Sequence, residues 1–143
     1  MAIQGNSRFV AIVDDDEAML DALKGLLKEA GFPARAFASA EEFLRSGEQQ
    51  HTGCLIADIR MPGMSGLDLQ ARLKADHIDI PIILITAHGY EPMRMQALRS
   101  GAVEFLTKPF DDEVLLESVR AALDRCSSSR VASRSSPIRP PHS

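Results

Sequence analysis

Phe9-Val10-Ala11-Ile12-Val13-Asp14-Asp15-Asp16 passes from an unbroken apolar run directly into three acids, and the reading of that junction decides the fold. An apolar run without alternation is the pattern of a strand covered on both faces, as in a parallel sheet. Cys54-Leu55-Ile56-Ala57 and Ile82-Ile83-Leu84-Ile85 repeat it, whereas Ala34-Arg35-Ala36-Phe37-Ala38 and Ala102-Val103-Glu104-Phe105-Leu106 carry charges and read as edge strands. Between the runs lie helical stretches. Met19, Leu20, Leu23, Leu26, Leu27 and Ala30 recur at helical spacing, and Gly31 stops them. Ser39 followed by Glu42 reads as a capping box opening a helix from Glu41 to about Ser46, with Gly47 just beyond. A third helix is expected from about Leu67 to Ala75 and a fourth from near Pro92 to before Gly101. Leu115, Val119, Ala122 and Leu123 mark a fifth, capped by Asp111 or Asp112. This alternation, sustained from Arg8 to Arg125, predicts an α/β domain with right-handed crossovers onto one parallel sheet.

The chain has 143 residues, 45% hydrophobic and 25% charged, which suits a single domain with a sizeable core. No apolar stretch is long enough to span a membrane, and Met1 to Arg8 resemble no leader, so a cytoplasmic protein is expected. Cys54 and Cys126 form neither a disulfide framework nor a zinc motif and read as reduced thiols. Charge is unevenly spread. Residues 125–143 hold Arg125, Arg130, Arg134 and Arg139 and no acid, so an overall charge of −4 leaves −8 on residues 1–124. An acidic body argues against direct nucleic-acid binding, which needs concentrated positive charge. Residues 126–143 are rich in Ser, Arg and Pro without apolar periodicity and are expected to form a disordered tail. Residues 1–7 are read as a short extension and 8–125 as the domain; no repeat and no second domain is seen.

Open parallel sheets bind ligands beyond the carboxyl ends of their strands. Here those ends carry Asp14-Asp15-Asp16, Asp58, Thr86 and, past Thr107, Lys108-Pro109. Taken singly, an Asp after a strand is commonly a turn or cap residue, and Asp16 and Glu17 are best read as first-turn acids favoured by the helix dipole. The conjunction is what points to chemistry. Asp14, Asp15 and Asp58 brought together repel one another, and protonation or a cation must relieve them. A few carboxylates with a carbonyl and waters suit Mg2+, and Lys108 adds a fixed positive charge. A carboxylate flanked by a divalent ion, an ammonium and a hydroxyl is poised to receive a phosphoryl group.

The sequence resembles the receiver domain of bacterial two-component response regulators over roughly Arg8 to Asp124. The resemblance rests on Val13-Asp14-Asp15-Asp16, Asp58-Ile59-Arg60-Met61-Pro62-Gly63-Met64-Ser65-Gly66, Ile85-Thr86-Ala87 and Lys108-Pro109-Phe110, in that order and spacing. Ser39-Ala40-Glu41-Glu42-Phe43 and Gly101-Ala102-Val103-Glu104-Phe105 look most like the FixJ branch. The resemblance implies a flavodoxin-like (βα)5 doubly wound sheet of order 2-1-3-4-5. It further implies that Asp58 is the phosphoacceptor and that Asp15, Asp58 and the backbone carbonyl of Arg60 hold Mg2+, with Asp14 helping through water. Thr86 would bond one phosphoryl oxygen and Lys108 another, Phe105 would occupy the aromatic switch position, and the Lys108-Pro109 peptide would be cis. Arg60 and His88 sit where family members tune dephosphorylation. The implied partner is a histidine kinase or hybrid kinase, with a phosphorylation-dependent homodimer or protein partner downstream.

Each of these residues has a plainer reading beside it. Phe105 fits ordinary edge-strand packing as well as a switch, and Met61 and Met64 fit packing beneath a loop shaped by Pro62, Gly63 and Gly66. His51, His77 and His142 read as solvated residues. Members of the FixJ branch usually continue into a DNA-binding domain, whereas here only the tail follows, so a stand-alone receiver and a fragment are both compatible with the sequence. A rival reading makes Asp14-x-Asp16 the nucleophile motif of a haloacid dehalogenase-type phosphatase. Ala18 and Thr86-Ala87 depart from that family's pattern. Dinucleotide binding fails for want of Gly-x-Gly-x-x-Gly after the first strand.

Overall fold

The structure, a computed structural model, describes residues 8–135, with side chains described as far as Asp124. Five strands alternate with helices: β1 (Phe9–Val13), α1 (Glu17–Glu29), β2 (Ala34–Phe37), α2 (Ala40–Ser46), β3 (Thr52–Asp58), α3 (Gly66–Ala75), β4 (Ile82–Thr86), α4 (Glu91–Arg99), β5 (Glu104–Thr107) and α5 (Asp112–Ser135). A single 3-10 turn, Gln49–His51, leads into β3. All pairings are parallel and the order is β2-β1-β3-β4-β5, so the two charged runs are indeed the edges. β3 and β4 are buried at every residue, as their unbroken apolar runs require.

Local chemistry sets the element ends. The Asp16 side chain accepts from the Ala18 amide and caps α1, and Ser39 caps α2 by accepting from the Glu42 amide. Asp111 accepts from the Glu113 amide and opens α5. β5 starts at Glu104 rather than Ala102 because the Ala102 amide is already engaged by the Ala97 carbonyl, closing α4. β3 begins earlier than its apolar run, since Thr52 is buried and pairs with Phe9.

The sheet separates two cores. On one face Leu20, Leu23 and Leu27 of α1 meet Leu115, Val119 and Ala122 of α5 over Val10, Ile12, Ile56 and Ile83. On the other, Phe43 of α2, Leu69 and Leu73 of α3 and Ala97 of α4 pack on Ala11, Leu55, Leu84 and Phe105. One expectation needs correction. The backbone of 126–135, expected to belong to a disordered tail, continues α5 as helix. Apolar periodicity gauges whether a helix is buried, and nothing between Asp112 and Ser135 is a glycine or proline that would end one. Residues 1–7 and 136–143, with their expected extension and end of the tail, lie outside the described residues.

Candidate functional site

The register of the sheet assembles the site. Val13 pairs with Ala57, Asp58 with Ile85 and Thr86 with Thr107, so the residues that follow β1 and β5 arrive level with the ends of β3 and β4. Asp14, Asp15 and Asp58 each offer a carboxylate oxygen, all within 4.8 Å of one another. Asp14 and Asp58 are buried and Asp15 is exposed. Lys108 Nζ lies 3.3 Å from Asp58 Oδ2 and 3.5 Å from Asp14 Oδ2, donating to both. Its peptide bond to Pro109 is cis.

Backbone amides hold the two buried acids in place. The Arg60 amide donates to Asp58 Oδ1 at 3.1 Å, and the Asp16 amide donates to Asp14 Oδ1 at 3.0 Å. Each carboxylate is therefore gripped on one oxygen by an amide and faced on the other by the ammonium. Burial pushes the Asp14 carboxyl up to about 6, and the Asp58 charge adds to the rise, while the Asp16 amide and Lys108 pull it down. Burial lowers the Lys108 ammonium, but the charges of Asp14 and Asp58 more than reverse this and raise it above its usual value. Three carboxylates offering hard oxygen donors at this spacing fit a small divalent cation.

Thr86 is fully buried at the end of β4, and its Oγ1 accepts from the His88 amide at 3.3 Å. The His88 side chain is exposed, so that residue contributes its backbone. Phe105 is 6% exposed and belongs to the core on the α4 side. The Arg60 side chain is exposed, and the residue's backbone amide is the part that meets Asp58. Two close approaches complete the site, and sequence reasoning missed the second. A Cβ on Gly66 would come within 2.6 Å of the Asp58 backbone oxygen, so α3 can begin this near the strand end only with glycine there. A Cβ on Gly89 would lie 2.9 Å from the Phe105 ring and 3.0 Å from both Thr86 Cγ2 and Thr107 Oγ1, so the β4–α4 loop rests directly on the ring and the threonines. The one available signal was a glycine placed just after Thr86-Ala87-His88. Ser65 and Asp68, also passed over, form a reciprocal capping box that opens α3 behind Asp58.

Residues 10–120 match the family of response regulator receiver domains. The chain belongs to that family. This receiver is 49% identical over 114 residues to the response regulator protein TodT of Pseudomonas putida, covering 80% of this chain and 50% of that protein. It is 42% identical over 113 residues to the transcriptional regulatory protein FixJ of Rhizobium meliloti, covering 79% and 55% respectively. The crystal structure of FixJ-N is similar with a TM-score of 0.76 at 41% identity, over 82% of this chain and 94% of that one. The receiver spans about half the length of the curated relatives it matches. It is a signalling domain of the flavodoxin-like fold, and the phosphatase alternative built on Asp14 finds no support. Among the described residues, no helix is long and apolar enough to cross a membrane.

Proposed function

We propose that Asp58 accepts a phosphoryl group from a partner histidine kinase or hybrid kinase in the cytoplasm, and that the receiver signals by presenting an altered α4, β5 and α5 surface. The observation that carries the reading is the Lys108 ammonium set between Asp58 and Asp14 at the edge of an acidic cluster. In the transfer, an Asp58 oxygen attacks phosphorus as the bond to the donor imidazole nitrogen breaks, and the electron pair of that bond leaves with the imidazole. Asp58 becomes an acyl phosphate. The Arg60 amide fixes the plane of the attacking carboxylate, and Lys108 supplies a charge that needs no reorganisation as negative charge gathers on the transferring oxygens. Thr86 would hydrogen-bond a phosphoryl oxygen.

Asp15, Asp58 and the Arg60 carbonyl would hold Mg2+, with Asp14 acting through water. When bound, Mg2+ neutralises phosphoryl oxygens and relieves the repulsion among the carboxylates. The same residues would assist hydrolysis of the acyl phosphate, with Arg60 and His88 beside the path to it.

A phosphoryl on Asp58 adds about −1.5 to −2 charge. Thr86 drawn toward it would shift the loop that rests on Phe105, giving the ring its place as the switch and biasing two states of one surface. Tyr90, Met95 and Val114, exposed by 61, 47 and 42%, lie at the cap of α4, on α4 and on α5, which supports a protein partner or a second copy binding there. A separate groove of about 260 Å³ beside Lys108, lined by Met19, Leu23, Leu26 and Phe110, supports kinase docking over α1. The acidic body supports output through protein contacts and not through direct nucleic-acid binding. The test is incubation with acetyl phosphate and Mg2+, followed by intact mass measurement. A covalent phosphoryl on the wild-type chain that Asp58→Asn abolishes is expected; label that persists in Asp58→Asn would overturn the assignment.

A further inference from the structure

Glu41 and Glu42 are neighbours in the first turn of α2, yet they are held differently. Glu42 stays local: its amide donates to Ser39 Oγ and its Oε1 accepts from the Ala38 amide. Glu41 reaches across to the loop formed by residues 59–65, where its Oε2 accepts from the Met64 amide at 3.0 Å. A Cβ on Gly63 would come within 2.8 Å of the same Oε2, so the residue beside the bond has no side chain to contest the space.

The other anchors of this loop sit at its ends. The Ile59 amide donates to the Ile85 carbonyl and the Arg60 amide to Asp58 Oδ1; at the far end Ser65 donates to Asp68 Oδ2 and Gly66 to the Ile59 carbonyl. In the middle Pro62 has no amide to offer. Met61 and Met64 pack on the core on the α4 side, and among the described residues the hydrogen bond from this middle stretch to another helix runs from the Met64 amide to Glu41. The loop begins at the proposed phosphoacceptor and carries the Arg60 carbonyl, so its position bears directly on the chemistry.

The geometry points to Glu41 as a positioning residue that fixes the phosphoacceptor loop by accepting the Met64 amide. It deepens the proposed role of Asp58 and rests on it. Its effect runs through a hydrogen bond, so glutamine, with an acceptor oxygen at the same reach, replaces it where alanine does not.

The experiment compares Glu41→Ala, Glu41→Gln and Glu42→Ala in the full chain. It measures the rate of phosphorylation by acetyl phosphate, Mg2+ affinity by calorimetry, Met64 amide exchange and the thermal midpoint. Loss of one such bond is expected to slow phosphorylation and weaken Mg2+ binding by about three- to tenfold in Glu41→Ala. Met64 exchange rises in the same variant, and Glu41→Gln restores all three. Glu42→Ala lowers the thermal midpoint through its lost cap and leaves the three unchanged. Glu41→Ala within about twofold of wild type in rate and affinity, or Glu41→Gln no better than Glu41→Ala, overturns the proposal. Should Glu41→Ala not fold, Glu41→Asp, too short to reach Met64, is judged by the same criteria. If the wild-type chain takes no phosphoryl on Asp58, the reading of Asp58 fails by itself. Met64 exchange then decides for Glu41, and an unchanged value rejects it.

Discussion

α1 and α4 flank the same site from opposite faces of the sheet and are secured in opposite ways. α1 buries Leu20, Leu23 and Leu27 against α5 and is capped by a side-chain bond from Asp16. In α4 the fully buried residue is Ala97, the cap residue Tyr90 makes no side-chain cap bond, and Met93 and Leu98 are only partly covered. A buried polar contact compensates in part, since Gln70 Nε2 of α3 donates to the Ala97 carbonyl at 3.2 Å. The lesson is that one wall of the site is fixed by packing and the other is held by few contacts, so a change at Asp58 finds its least resistance on the α4 side.

The sharpest way to break this comparison is to truncate matched leucines. Leu27→Ala should cost about 2–5 kcal/mol and Leu98→Ala about 1 kcal/mol in urea unfolding of the metal-free chain. Equal losses would mean that α4 is as firmly packed as α1. Next in size, Gln70→Ala should cost about 1–2 kcal/mol and raise amide exchange in α4 well above that in α1. A uniform rise across both helices would assign Gln70 to global stability instead. The smallest effect is at the end of α3, where His77 sits at φ 60 and its amide closes the helix on the Lys74 carbonyl. Replacing it by glycine relieves the left-handed strain, offset by the greater freedom of the unfolded chain, for a gain of about 0.5 kcal/mol in the same unfolding assay. No gain would show that this end of the α4-side wall is not under strain.

Much of this arrangement was legible in the residues themselves. Asp14, Asp15, Asp58, Thr86 and Lys108 could be placed at one edge because apolar runs ended immediately before them or close by, and a parallel sheet aligns such ends. Their distances were not legible, since these depend on register, which no single run encodes. Nor was burial legible: Asp14, expected to help hold Mg2+ through water, is buried against Lys108, while Asp15 is the exposed member. Glu42 was legible as the capping partner of Ser39, whereas Glu41 was an ordinary first-turn acid until the fold brought Met64 to it. Gly89 had no evident reason to be glycine without the position of the Phe105 ring. The reach of α5 was missed because the criterion applied to residues beyond Cys126, apolar periodicity, gauges burial and not helix formation.

The hydroxyl at the end of β4 carries one more implication. With one lone pair of Thr86 Oγ1 already taken by the His88 amide, the side chain still has its proton to give. That leaves an asymmetry in what the hydroxyl offers: an incoming group rich in lone pairs can take the proton without disturbing the His88 bond, while an incoming donor must share the acceptor oxygen with it. Serine keeps that asymmetry, and valine of the same outline erases it.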